Sequence, residues 1–263
     1  RSVCKWAGIQ GTTPPSPLSQ RFLMEIKHEY NPRPLQLSIH QSLKRFNVLV
    51  AHRRFGKTIL CVNQLIVDAI RNKKERPRYA YIAPLYRQAK QIAWDYLMHF
   101  TRAIPGIVYN QAELRVDFPN GARITLYGAD NHDALRGIYL DGVVLDEYAL
   151  MSSKVWTEVI RASLVDRHGY AIFIGTPRGK NSFYELYEEA KRNPEWFTAT
   201  FKSSETKLIE QSELIAAKQV MSQDEYAQEF ECSFEAAIQG AYYADCLRVA
   251  REQQRICRVP YDP

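Results

Sequence analysis

Residues 48–58 read VLVAHRRFGKT, an apolar run followed by a turn that closes on Gly56, Lys57 and Thr58. Glycine lets a backbone approach an anion, lysine supplies a point charge, and a hydroxyl at the next helix's N-terminus suits a phosphate-bound cation. Ala51 stands where such loops usually open with glycine, a departure that is tolerable if the turn keeps a negative φ there. A second stretch, DGVVLDEYA at 141–149, is an apolar strand ending in adjacent carboxylates, Asp146 and Glu147. Two acids at the end of a buried strand are costly unless they bind a cation or move a proton. Asp146 is therefore a candidate magnesium ligand beside Thr58, and Glu147 a candidate general base for an attacking water. A third run, YAIFIGTPRG, ends in Gly175-Thr176-Pro177; beside the acidic strand, Thr176 could sense a γ-phosphate. Together and in this order, the three motifs imply hydrolysis of ATP with Mg2+.

These residues need a scaffold that brings strand ends together. Apolar runs NVLVA, RYAYIAP, GVVLDEY and YAIFIGTP alternate with helical patterns LCVNQLIVDAIRNK, YRQAKQIAWDYLMHF and VWTEVIRASLV. That alternation predicts an α/β fold, a mainly parallel central sheet flanked by helices, with ligands at the strands' C-terminal ends. AELRVDFPNGARITLYG alternates around Asn120-Gly121 and predicts an antiparallel hairpin near one sheet edge. The expected divisions are an irregular arm over 1–34 with a short helix, SQRFLMEIKHEY; an ATPase core over 35–195; a small lid over 196–240; and a linker over 241–263. Within the lid, FTATF reads as a strand, QSELIAAKQVM and SQDEYAQEFE as helices, and Ser222 with Glu225 as a capping box.

Bulk properties narrow the class. With 46% hydrophobic and 24% charged residues the chain has the composition of a folded domain rather than a disordered one. No apolar run approaches the ~20 residues that span a bilayer and no signal peptide is evident, so a cytosolic protein without a membrane partner is expected. The five cysteines are scattered and form no C-x-x-C pair, which argues against a zinc site or disulfide framework. Net charge is +6, but residues 44–90 carry a local balance of +10 and residues 204–235 one of −6. Such asymmetry is compatible with a polyanion on one face and a partner protein on another. Lys73, Lys74, Arg76, Arg78, Arg87, Lys90, Arg178, Lys180, Lys191 and Arg192 are candidate phosphate contacts.

The ordered set AHRRFGKT, YIAPLYRQAKQIAWDYL, GADNHDALRGIYLDGVVLDEYALM, FIGTPRGKNSFYELYEEAK and EYAQEFECSF resembles the ATPase region of the large terminase subunit of tailed double-stranded DNA bacteriophages. The likeness runs from about residue 32 onward. It implies a P-loop NTPase fold of the ASCE type and a packaging motor that hydrolyses ATP in a homo-oligomeric ring and drives double-stranded DNA into a procapsid. The implied partners are the portal protein and the small terminase subunit, and the implied location is the host cytoplasm, at the portal. Family members also carry a C-terminal nuclease domain. RICRVPYDP resembles the linker that precedes it, so nuclease activity is not expected of this stretch.

By the same resemblance, the nucleotide-binding loop comprises Ala51, His52, Arg53, Arg54, Phe55, Gly56, Lys57 and Thr58. Lys57 and Thr58 match the Walker A lysine and hydroxyl, Asp146 and Glu147 the Walker B aspartate and catalytic glutamate, and Thr176 the coupling motif. Arg53 matches an arginine proposed to contact the γ-phosphate in cis. Arg136, in DALRG, matches a proposed finger that reaches a neighbour's nucleotide. Gln36 sits where the family has an adenine-side glutamine, with Gln41 as the competing register; Arg54 has no assigned role. The alternatives are a helicase-like nucleic-acid translocase and a non-hydrolysing nucleotide-binding assembly module. The translocase would normally carry a second RecA-like domain, and Glu147 speaks against a module that needs no general base.

Overall fold

The computed structural model describes residues 29–235 and, beyond them, 246, 249, 250, 253 and 255. Most of the expected arm helix and of the 241–263 linker lies outside the described residues.

Helix α1 (Pro34–Ser42) starts with proline at its first position, where no amide hydrogen bond is lost. It leads into β1 (Phe46–Ala51), the loop, and α2 (Lys57–Arg71). After β2 (Arg78–Ala83), α3 (Tyr86–Gln88) runs through a π-helical stretch, Ala89–Ala93, into α4 (Trp94–Thr101). Strands β3 (Val108–Asn110), β4 (Arg115–Asp117) and β5 (Arg123–Gly128) follow, then a kinked 3-10 segment, Ala129–Leu135. Strand β6 (Gly142–Asp146) precedes a 3-10 turn, Tyr148–Leu150, a π-helical stretch, Val155–Ile160, and α5 (Arg161–Ser163). The remaining elements are β7 (Tyr170–Gly175), α6 (Ser182–Arg192), β8 (Trp196–Phe201), α7 (Ser203–Thr206), α8 (Gln211–Val220) and α9 (Gln223–Glu231).

The eight strands form one sheet in the order β3-β4-β5-β2-β6-β7-β1-β8. All neighbours from β5 to β8 are parallel, and β3-β4 and β4-β5 are antiparallel. The Asn120-Gly121 turn joins β4 to β5 as expected, with Gly121 at φ +83° and the Asn120 side chain accepting from the Ala122 amide at 3.1 Å. The short edge strand β3 was not anticipated.

Buried strands carry two apolar faces, which is why their sequences read as unbroken hydrophobic runs. Leu49, Tyr81, Val144 and Ile174 pack with α2 and α4; Val50, Ile82, Leu145 and Phe173 pack with Tyr148, Trp156, Val159 and Phe183 on the other side. FTATF departs from the expected division at residue 196. It is β8, paired in parallel with β1 from Phe46↔Trp196 to Ala51↔Phe201, so the sheet itself extends into the segment expected to be a separate lid. Its local pattern marks it as a strand, but its partner lies about 150 residues away in sequence and has no local signature. Helices α8 and α9 follow as expected, and Ser222 and Glu225 form the reciprocal capping box.

Candidate active site

Strand β7 lies between β6 and β1, all three parallel, so Ala51, Asp146 and Gly175 end at the same edge of the sheet. Gly56, at φ +89°, caps α2 in a left-handed conformation open to glycine at little cost. No side chain caps this helix, and the first-turn amides at Lys57 and Thr58 have no intrahelical acceptor. Ala51 is a strand residue rather than a left-handed turn, which explains why glycine is dispensable there.

Lys57 ties the three motifs together. Its ammonium donates to the Thr176 hydroxyl at 2.9 Å and to the Ala51 carbonyl at 3.2 Å, and stands 3.5 Å from Glu147 Oε1. The Thr176 amide donates to Glu147 Oε2 at 3.3 Å. Glu147 itself lies at φ 49°, ψ 46°, an uncommon left-handed conformation for a side-chain-bearing residue and a form of strain that clusters at working sites. Gly175 makes room for it: a methyl there would come 3.3 Å from the Glu147 Cα.

Asp146 is buried behind this layer. Its Oδ1 accepts from the Glu147 amide at 3.0 Å, and its Oδ2 accepts from the Tyr81 hydroxyl. Burial, reinforced by the adjacent Glu147 charge, raises its pKa to about 6, against the opposing pull of the Tyr81 bond and Lys57. Thr58 and Asp146 are hard oxygen donors, and a buried carboxylate beside another acid suits Mg2+, which needs few protein ligands when phosphates supply the rest.

Gln36 is buried against the loop: its Nε2 donates to the Gly56 carbonyl at 3.5 Å and its Oε1 accepts from the Arg33 amide at 3.1 Å. Gln41, the competing register, is exposed. Arg33 donates to the Phe55 carbonyl and was missed by sequence reasoning.

The His52 and Phe55 side chains turn inward. His52 is fully buried, with Nε2 2.8 Å from the Thr206 hydroxyl and its amide donating to Phe201 O at 3.1 Å; burial lowers its pKa. Phe55 stacks on Phe201 at 4.8 Å. An apolar pocket beside β8 takes both rings. Arg53 and Arg54 are exposed; the Arg53 amide donates to Glu229 O at 2.9 Å, and Arg54 adopts φ 68°.

Arg136 takes no part in the Lys57–Glu147–Thr176 cluster. It lies in an exposed turn with its guanidinium 4.0 Å from Glu158. Of the basic residues offered as phosphate contacts, Lys74 pairs with Asp141, Lys180 with Glu235 and Lys191 with Glu188, so these three have structural partners. Tyr81 was also missed. Its signal was available in RYAYIA, where a tyrosine in a two-sided buried strand demands a partner for its hydroxyl.

Comparison with known proteins agrees with this architecture. The family described as terminase large subunit, T4likevirus-type, N-terminal, matches residues 48–245. A terminase large subunit of Thermus virus P23-45 is 31% identical over 179 residues, covering 60% of this chain and 36% of that protein. The chain thus spans well under half of that relative's length. The fold of the large terminase ATPase domain of Thermus phage P74-26 superposes with a TM-score of 0.68 at 24% identity, over 78% of this chain and 95% of that domain. A large terminase from a thermophilic bacteriophage, solved with ATP-gamma-S, gives a TM-score of 0.64 at 14% identity, over 76% of this chain and 52% of that one. With three-quarters of its length matched to one family, the chain belongs to the N-terminal region of the phage terminase large subunits of T4-like type.

Proposed function

We propose that this chain is the ATP-hydrolysing motor region of a large terminase and that its work is to drive double-stranded DNA into a procapsid. The observation that carries the reading is the Lys57 ammonium held between Thr176 and Glu147 where three parallel strands end. Glu147 and Thr176 are what neutralise and hold Lys57 in this arrangement. A γ-phosphate is a stronger partner for the ammonium, so its arrival draws Lys57 off Glu147 and leaves that carboxylate to orient and deprotonate water. Thr176, bonded through its hydroxyl to Lys57 and through its amide to Glu147, registers the exchange and hands it to the segment after β7.

Thr58 and Asp146 would hold Mg2+, which when bound with nucleotide neutralises charge on the phosphates. The amides opening α2 suit the phosphates, and Gln36 is the adenine-side candidate. The exposed Arg53 is the candidate γ-phosphate ligand in cis. Arg136, on the surface, is the candidate finger completing a neighbour's site in a ring. The whole motor's partners are duplex DNA, a portal protein and a small terminase subunit, at the portal in the host cytoplasm. The unit at work here is a core through β8, with α7 to α9 as its lid.

Phosphate release measured against protein concentration tests the reading. Release per subunit should rise with concentration in the natural sequence and stay low and flat for Arg136→Ala. A concentration-independent rate that Arg136→Ala leaves untouched would remove Arg136 from the site, and no release at any concentration with DNA present would remove the ATPase reading.

A further inference from the structure

We infer that Tyr81 is a positioning residue for the metal side of the site, its phenol fixing the Asp146 carboxylate in one arrangement before any cation arrives. The inference rests on the assignment of Thr58 and Asp146 above and goes beyond it.

Strands β2 and β6 are adjacent and parallel, in the register Tyr81↔Val144 and Ile82↔Leu145. Side chains alternate across a strand, and Tyr81, Val144 and Cys61 share the core cluster on the α2 side of the sheet. Asp146 has the same parity as Val144, so Tyr81 and Asp146 face α2 together. Tyr81 is among the largest fully buried side chains, at 1% exposure. Its hydroxyl donates to Asp146 Oδ2.

The carboxylate is thereby held from both sides, by Tyr81 on Oδ2 and by the Glu147 amide on Oδ1. Each oxygen keeps lone-pair capacity beyond the bond it accepts. Partners that orient a metal ligand typically change metal affinity about 10–100-fold when removed. A phenol suits this place better than a cationic residue, because it orients the carboxylate without neutralising the charge that a cation needs.

The test is nucleotide binding by the full chain, using a fluorescent ATP analogue titrated with Mg2+ and, separately, in excess EDTA. Tyr81→Phe removes one oxygen and keeps the ring, so the packing of β2 against α2 survives. The expected result is unchanged affinity in EDTA and a rise of about tenfold in the Mg2+ concentration that half-restores tight binding. Tyr79→Phe is the control: it removes another phenol on the same strand and face, bonded instead to Asn72 and the Asp68 carbonyl. It should leave the Mg2+ response alone. Equal Mg2+ responses in natural protein and Tyr81→Phe would overturn the inference, as would equal rises in both variants. If Tyr81→Phe does not fold, Tyr81→His, which returns a donor, should bind the analogue with a Mg2+ requirement within a few-fold of the natural protein; a tenfold greater one would count against positioning by a donor. A natural protein that binds equally with Mg2+ and EDTA would instead overturn the underlying metal assignment, and the inference with it.

Discussion

Asp141 and Asp146 lie at opposite ends of β6, both buried, yet their surroundings differ in kind. Asp141 is met by Lys74 at 3.1 Å, Arg167 at 3.3 Å and the Arg78 amide at 2.9 Å. Asp146 is met by a phenol and one amide, with a second carboxylate as its chain neighbour, while the nearby Lys57 is engaged with Glu147 and Thr176. One end of the strand has its charge balanced by the protein; the other leaves negative charge in excess. A balanced buried acid is architecture, and an unbalanced one marks a place where something else supplies the cation. The amino-acid type is the same, so the distinction lies entirely in what the neighbouring strands and helices bring to each end.

The contrast can be broken from either side. The largest effect should come from Lys57→Met, which removes the lysine at the unbalanced end: phosphate release should fall by on the order of 10²–10³-fold, as when a charge-stabilising donor is lost elsewhere. Unfolding by denaturant should change far less. At the balanced end the pattern should reverse. Asp141→Asn should cost about 2–3 kcal/mol in denaturant unfolding, below the range for a fully buried pair because Lys74 and Arg167 are part-exposed, while nucleotide affinity stays within a few-fold. A variant that lost binding without losing stability would show that Asp141 is not architectural.

Gly56→Ala tests the loop that opens α2. Its φ of +89° costs an L-residue about 1–2 kcal/mol, and the new methyl would come 2.8 Å from Arg33 Nη2 and 3.3 Å from Gln36 Nε2. Weaker nucleotide binding, read by calorimetry, is expected together with a modest loss of stability. The smallest effect is a pH dependence. Burial, first, and then Lys57 hold the His52 pKa below its unfolded value near 6.5, against the upward pull of the Arg53 carbonyl and Glu231. The unfolded state therefore binds the extra proton first, and the stability from this group, complete above pH 6.5, is lost as pH falls from there toward the folded pKa. Thermal unfolding of His52→Gln between about pH 5 and 7 should show a shallower acid slope than the natural sequence; an identical slope would place the acid sensitivity elsewhere.

Much of this scaffold was legible in the residues. Strands β1, β2, β6 and β7 announce themselves because burial on two faces leaves no polar alternation, and Asn120-Gly121 and Ser222 with Glu225 encode their turn and cap locally. The meeting of Lys57, Asp146, Glu147 and Thr176 at one edge of the sheet was legible for a related reason, since polar groups that follow apolar strands need a purpose. Other features were not. β8 joins the sheet through a partner remote in sequence. The inward turn of His52 depends on Phe201 and Thr206, which only that pairing brings near. The Tyr81 bond to Asp146 requires knowing that β2 and β6 are adjacent, which the order of motifs along the chain does not state. Helix α1 also escaped notice, because only Gln36 and Ile39 on it are buried and its apolar pattern is correspondingly thin.

The proposed mechanism turns on Glu147 acting on water rather than merely holding Lys57, and Glu147→Gln tests that most directly when ATP binding and phosphate release are measured on the same sample. Binding retained within a few-fold with release reduced by at least about 10²-fold is the predicted result. Release unchanged, with binding intact, would contradict the claim and leave Glu147 as a tether for the lysine alone.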